Sequence, residues 1–410
     1  MRIGIFTDTY SPEINGVVTS IRQLEDELIK HGHEVYIITS SSYRKIKRTN
    51  NVIMMPGIAI KRLYGYHVSS FYSFFGARYI KKLNLDLIHA HTEYGIGLFA
   101  RIIASQYEIP LVYTYHTMME DYSHYVTKVT RGHFEKPVKK IIIMSSRLYA
   151  DKCTELIVPS QKTADAMRRY GVKNKINVIP TGIDLSTFAS HRFNKADINE
   201  VKKKYNISNN DFLAVFVGRV APEKSVDEII EAFNILKQKN KKNIKLLIVG
   251  SGPSFTDLQE LVNNYQLEDT VTLVGKIPHE EVPIYYQMAD IFVSTSTTET
   301  QGLTFIEAMA SHLPVICKYD KNLEGIIIEN ESGFYIKDNE ELANTLIKVA
   351  ELDQYDYSNH GSKAREIANQ YSSSIFYEKV MVVYDSAIRN KRRLFSFTQV
   401  IRDPKRKKSL

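Results

Sequence analysis

Tryptophan is absent from the 410 residues, and cysteine occurs only at Cys153 and Cys317. Two thiols cannot build a disulfide framework and do not suggest a structural zinc site, so a reducing compartment is expected. No run of about 18 apolar residues occurs, so no helix is expected to span a membrane. Charge enters at Arg2 and Asp8, before any apolar stretch long enough for a secretory leader, and none is expected. Without tryptophan, anchoring at a membrane interface would fall to Tyr and Phe.

What is present is a chain with 43% apolar residues. At roughly 100–200 residues per domain, that length suggests two or three domains with cores of their own. The net charge of +8 is unevenly placed. Residues 1–185 carry 25 basic and 16 acidic side chains, residues 186–388 carry 20 and 29, and residues 389–410 carry 9 and 1. The body is therefore neutral but polarised, and the excess sits in the last 22 residues.

Short β-rich runs alternate with helical stretches. Arg2–Thr7, Glu34–Thr39, Leu87–Ala90, Leu111–Thr114, Leu156–Ser160 and Asn177–Pro180 read as buried strands, with a helix over Val17–His31 stopped by Gly32. The rhythm restarts at Phe212–Gly218 and continues through Lys245–Gly250, Val271–Gly275, Ile291–Ser294 and Val315–Cys317. Alternation of this kind predicts parallel sheets covered on both faces. Two such series predict an α/β protein of two Rossmann-like domains with a ligand cleft. The expected limits are 1–185, 186–370, a crossover helix over 371–390 and a basic tail over 391–410.

Several segments carry chemistry. Gly218 to Ser225 follows a strand and precedes a helix, placing Arg219 and Lys224 at that helix's start. Two cations there suit a diphosphate, although an ordinary turn with two solvated cations has the same spacing. Glu299-Thr300-Gln301-Gly302-Leu303-Thr304-Phe305-Ile306-Glu307 leads into another helix near Thr304. Amides at Gly302, Leu303 and Thr304 could meet a phosphate or sugar hydroxyls, with Glu299 and Glu307 as acceptors; a capping loop with a first-turn Glu is the plainer reading. His116 ends a strand and suits a substrate hydroxyl or a structural bond. Gly16, in Asn15-Gly16-Val17, could bring an amide to a phosphate. His89 and His91 flank Ala90 with no nearby third ligand, which favours a structural role over a metal.

Taken together, these residues resemble the GT4 family of retaining glycosyltransferases with the GT-B fold. The likeness covers residues 1 to about 390. It rests on the E-x7-E pattern of Glu299 and Glu307, on Gly218-Arg219 with Glu223-Lys224, on Gly250-Ser251-Gly252-Pro253, and on Thr7-Asp8-Thr9-Tyr10-Ser11-Pro12 through Gly16-Val17. Within the family, Thr114-Tyr115-His116-Thr117-Met118-Met119-Glu120-Asp121-Tyr122 looks like bacterial 1,2-diacylglycerol 3-glucosyltransferases. Two departures are visible: Thr300-Gln301-Gly302 replaces the frequent Gly-Phe-Gly, and Asn15 replaces a frequent glycine.

The resemblance implies a hexosyltransferase moving glucose from UDP-glucose to diacylglycerol, making monoglucosyldiacylglycerol. Its C-terminal helix would return to the N-terminal domain. Arg219 and Lys224 would neutralise the leaving diphosphate, Glu307 would hold the ribose, Glu299 with Gly302–Thr304 would hold the sugar, and His116 would meet the sugar from the other domain. No enzymic nucleophile is evident, which suggests front-face attack. No cofactor or metal is expected, and there is no Asp-x-Asp site.

A diacylglycerol acceptor requires docking on an anionic membrane surface, placing the protein peripherally on the inner face of the cell membrane. Candidates are Phe71–Lys82, the basic amphipathic stretch Lys136–Leu148 (Lys136, Lys139, Lys140, Arg147, with Ile141–Met144 as its greasy part) and the tail with Lys391, Arg392 and Arg393. No nucleic-acid module accompanies the basic clusters, so no nucleic-acid partner is expected. Two rivals remain at this stage: a GT4 enzyme with another sugar or acceptor, and a non-catalytic, membrane-binding glycosyltransferase-like protein.

Overall fold

The computed structural model describes residues 1–13, 15–59, 67–69, 73–116, 135–189, 192–297, 299 and 301–402; at 58–59, 67–69, 135–138 and 391–402 it describes the backbone only. The chain divides into two compact units, one formed by Met1–Gly182 with the chain from Ser373 onward, the other by Ile183–Ser372.

The first unit is built on β1 (Arg2–Phe6), β2 (Glu34–Ser41), β3 (Lys47–Thr49), β4 (Val52–Ala59), β5 (His67–Ser69), β6 (Leu87–Ala90), β7 (Leu111–Thr114), β8 (Glu155–Val158) and β9 (Ile176–Val178). Their order is β3-β4-β2-β1-β6-β7-β8-β9, with β5 pairing β4. All pairs are parallel except β3 and β5 on β4. The antiparallel strands were not foreseen: β3 is polar and exposed along its length and has no alternation to read. Helices α1 (Gly16–Lys30), α2 (Phe74–Lys81), α3 (Gly95–Gln106), α4 (Glu135–Asp151) and α5 (Gln161–Arg169) accompany this sheet. Ile21, Leu24 and Leu28 recur at helical spacing on α1 and are buried against Ile3, Ile5, Val35 and Ile37.

The second unit pairs β10 (Phe212–Val217), β11 (Ile244–Val249), β12 (Val271–Gly275), β13 (Ile291–Ser294), β14 (Val315–Lys318) and β15 (Gly333–Ile336) in the order β12-β11-β10-β13-β14-β15, all parallel. The strands are mostly apolar because helices cover both faces. These helices are α6 (Lys195–Lys204), α7 (Val226–Gln238), α8 (Phe255–Asn264), α9 (Val282–Met288), α10 (Leu303–Ala310), α11 (Asn339–Ala350) and α12 (Gln354–Ala368). The strand order reverses between β10 and β13. Loops leaving their C-terminal ends therefore diverge to opposite sides and open a crevice, the usual ligand position in such sheets.

The last helix, α13 (Ser373–Arg402), returns to the first unit. Phe376, Val380, Val383, Tyr384 and Ala387 join the α1 core. Four hydrogen bonds fix its register. The Ser373 hydroxyl donates to Glu27 (3.0 Å), Ser386 and Asn390 donate to Glu155 (2.7 and 3.0 Å), and the Tyr384 hydroxyl lies 2.8 Å from His89 Nδ1. The expected break at 390 is not there. The helix continues to Arg402, so Lys391, Arg392 and Arg393 are helical, and only 403–410 lie outside the described residues.

Phe376→Ala should therefore loosen the C-terminal helix. Removing a buried phenyl ring leaves a cavity costing about 3–5 kcal/mol, and the first unit's unfolding midpoint in urea should fall accordingly.

Candidate functional site

The second unit assembles most of the residues singled out. After β10 the chain passes Gly218 and Arg219, makes a short 3-10 turn at Pro222–Lys224, and enters α7 through Ser225 in the left-handed region (φ 46°). The following crossover lies directly on this loop. The Val220 amide donates to Ser251 O, and the Ser254 amide donates to Val220 O. A Cβ at Gly250 would sit 1.8 Å from Gly218 O, and one at Gly252 would sit 2.1 Å from Val220 O. The Gly-Ser-Gly segment is thus required by backbone contact with the loop that carries Arg219 and Lys224.

Lys224 reaches across the crevice to the loop after β13, where its Nζ lies 2.5 Å from Glu299 Oε1. Arg219 pairs with Glu223, four residues on. Both cations are thus balanced by carboxylates of their own unit. Thr295 pins the two loops together, its hydroxyl lying 3.2 and 2.6 Å from the carbonyls of Lys224 and Ser225. Asp320, after β14, supports Glu299 from behind: its carboxylate accepts from the Glu299 amide (3.1 Å) and the Asn322 amide (2.8 Å), while the Asn322 side chain donates to the Glu299 carbonyl.

Gly302 takes the left-handed conformation (φ 74°) and caps α10, which starts at Leu303 as the sequence suggested. A side chain there would meet Leu323 and Phe305. The leading amides of Leu303 and Thr304 fall in the first turn, where a helix has no internal acceptors. Glu307 lies one turn on and is buried. Burial pushes its carboxyl up to about 7, opposed by a hydrogen bond from the Tyr286 hydroxyl at 3.0 Å. Thr300 lies outside the described residues.

The first unit carries the others. Gly16 opens α1, and Asn15 is its N-cap, accepting from the Val18 amide at 3.0 Å and donating to Thr9 Oγ1 at 2.9 Å. Asn15 sits in extended backbone (φ −160°), so no glycine is needed there. His116 follows β7, half-buried, with Nε2 2.8 Å from His91 Nδ1. Burial pushes the His116 imidazole down to about 4, so it is neutral near pH 7. His89 is structural as expected: one nitrogen meets Tyr384 and the other Thr114 Oγ1 at 2.7 Å. His91 makes a structural contact as well, its Nδ1 bonding the candidate His116.

Among the docking candidates, the greasy part of α4 divides. Ile142 is buried in the core, whereas Ile141 (61% exposed), Met144 (64%) and Leu148 (48%) form an outward stripe beside exposed Lys140 and Arg147, with Lys139 half-buried. The expectation that Ile141–Met144 act together fails because four consecutive residues circle the helix. On α2, Phe74 and Phe75 are exposed while Ala77 and Ile80 face inward. Phe71, Thr117–Tyr122 and the side chains of Lys136, Lys391, Arg392 and Arg393 lie outside the described residues.

Sequence reasoning missed Tyr286, Thr295, Asp320 and Asn322. Asp320-Lys321-Asn322 after a strand was a usable loop signal; Tyr286, inside an apolar helix, offered none. The Glu307 carboxyl, raised when folded, favours the fold below its unfolded value near 4.5, and that contribution is lost as pH rises through about 7. Glu307→Gln should therefore gain thermal stability over the parent as pH rises from about 5 to about 8, and melting curves at the two pH values check this.

Comparison with known proteins agrees with this arrangement. Residues 14–187 match the model of "Glycosyltransferase Family 4", and residues 197–368 match that of "Glycosyl transferases group 1". An alpha-monoglucosyldiacylglycerol synthase of Acholeplasma laidlawii is 37% identical over 352 residues, covering 85% of this chain and 88% of that protein. One of Streptococcus pneumoniae is 35% identical over 358 residues, covering 85% and 78%. Among solved structures, Anabaena HepE in complex with UDP and glucose superposes with a TM-score of 0.72 at 17% identity, covering 94% of this chain and 99% of that one. Sucrose-phosphate synthase of Thermosynechococcus elongatus gives 0.71 at 22%, covering 96% and 99%. The chain belongs to the GT4 retaining glycosyltransferases of GT-B fold, in the family of the bacterial alpha-monoglucosyldiacylglycerol synthases.

Proposed function

We propose that this glycosyltransferase moves glucose from UDP-glucose to the free hydroxyl of 1,2-diacylglycerol, with retention, yielding monoglucosyldiacylglycerol. The observation that carries this reading is the 37% identity to an alpha-monoglucosyldiacylglycerol synthase over nearly the whole of both chains. The site geometry supports it. Arg219 and Lys224 supply two positive charges at the crevice of a Rossmann-like unit, where a nucleotide diphosphate would sit. When the C1–O bond to the diphosphate breaks, these cations stabilise the charge gathering on the leaving oxygen. The diacylglycerol oxygen bonds C1 on the same face and passes its proton to that phosphate oxygen. Lys224 would leave Glu299 for the diphosphate, and Glu299, with the amides at Gly302–Thr304, would hold the sugar. Glu307 would hold the ribose hydroxyls, with Gly16 near the phosphates and His116 as a neutral partner for a sugar hydroxyl. Positive charge from side chains takes the part of a metal in this scheme, and no cofactor is invoked.

The acceptor lies in a bilayer, and we place the protein peripherally on the inner leaflet. The support is the α4 stripe of Ile141, Met144 and Leu148 at i, i+3 and i+7, flanked by Lys140 and Arg147, together with Phe74 and Phe75 on α2. Each cation near an anionic surface contributes about 1 kcal/mol. No helix among the described residues is long and apolar enough to cross a membrane.

A donor panel on diacylglycerol-bearing vesicles tests the reaction: UDP-glucose should give glycolipid, and UDP-galactose or GDP-mannose should give little. No UDP-glucose-dependent product would sink the reading. For docking, an Ile141→Asp, Met144→Asp double variant should sediment far less with phosphatidylglycerol vesicles than the parent while keeping its melting temperature. Unchanged sedimentation would move docking to other surfaces.

A further inference from the structure

Two histidines flank Ala90 at the end of β6, and their surroundings differ. His89 has both ring nitrogens engaged, by the Tyr384 hydroxyl and Thr114 Oγ1. His91 has one engaged, Nδ1 with His116 Nε2 at 2.8 Å, and the two rings stack at 5.1 Å and 20°. Its Nε2 is buried with no hydrogen-bond partner among the described residues. A buried polar atom left unpaired costs about 1–3 kcal/mol. An apolar side chain at position 91 would remove that cost but leave His116 Nε2 without its partner. The histidine is explained by its one ring hydrogen bond, which goes to His116.

Resting on the reading of His116 as a sugar-contacting residue, we infer that His91 is a positioning residue for the transfer reaction. It holds the His116 ring in one orientation and one tautomer, so that Nε2 is committed to the protein and Nδ1 remains for a hydroxyl. Parallel pairing of β6 with β7 brings the two residues together, since both follow the C-terminal ends of adjacent strands. Burial keeps both imidazoles uncharged, so a single proton lies between the two nitrogens. A ring held this way loses no orientational freedom when the donor arrives.

The test uses the full chain in the vesicle assay with His91→Leu, His91→Asn and His91→Gln. An Asn amide occupies the place of imidazole Nδ1 and can keep the bond to His116; a Gln amide falls near Nε2 and cannot. His91→Leu and His91→Gln should lower kcat about 10- to 100-fold while the KM for donor stays within about threefold. His91→Asn should recover most of the rate. The melting temperature of His91→Leu should stay near the parent's, because the substitution removes the unpaired nitrogen of position 91 but leaves His116 Nε2 without its partner. Nitrogen-15 shifts of the His116 ring should show one tautomer in the parent and a mixture in His91→Leu. Parental kcat in His91→Leu, equal rates for the Asn and Gln variants, or an unmoved His116 spectrum would overturn the inference. Parental activity in His116→Ala would instead overturn the reading on which it rests.

Discussion

The parallel pairing of β10 with β13 is the constraint on which the second unit's site depends. These strands are far apart in the chain, yet Ala214 and Val215 lie beside Ile291 and Phe292. Neighbouring parallel strands deliver their following loops to the same edge, and the reversal of strand order there leaves room between them. Lys224 and Glu299 meet for this reason, as do Thr295 and the turn at Ser225. β14 extends the same edge and delivers Asp320 and Asn322 behind Glu299. The strands are mostly apolar, and the polar groups gather beyond their C-terminal ends, with Thr295, Asp320, Asn322 and Glu307 themselves buried.

Burial also sets the electrical character of the two units' candidate groups. In the second unit the candidate cations sit in ion pairs, Arg219 with Glu223 and Lys224 with Glu299. A pair of opposite charges tolerates partial burial where a lone charge does not. Glu307, with a hydroxyl rather than a cation for partner, is pushed toward the neutral acid. In the first unit His89, His91 and His116 are desolvated, have no carboxylate partner among the described residues, and become uncharged hydrogen-bonding groups.

The outward faces of α2 and α4 belong to the same logic. A helix buries the stripe that meets its sheet, so Ile142, Ala77 and Ile80 are spent on the core. Ile141, Met144, Leu148, Phe74 and Phe75 remain outside, and on the proposed reading this is the face that meets the lipid surface.

The sequence by itself determined the two α/β series, a helix start at Val226, starts at Val17 and near Thr304 that the structure moves by one residue to Gly16 and Leu303, and the identity of Arg219, Lys224, Glu299, Gly302 and Glu307 as candidates, because apolar periodicity and glycine turns are local signals. It could not show β3 to β5, whose pairing partner and not their own pattern makes them strands. It placed a tail at residue 391 where the helix continues to Arg402, since the charge change there carries no stop signal. Tyr286 beside Glu307, Asp320 behind Glu299, and His91 against His116 were decided only by tertiary structure. Each is a contact between residues 21 to 25 positions apart, and its hydrogen bond exists only once separate strands and helices have packed.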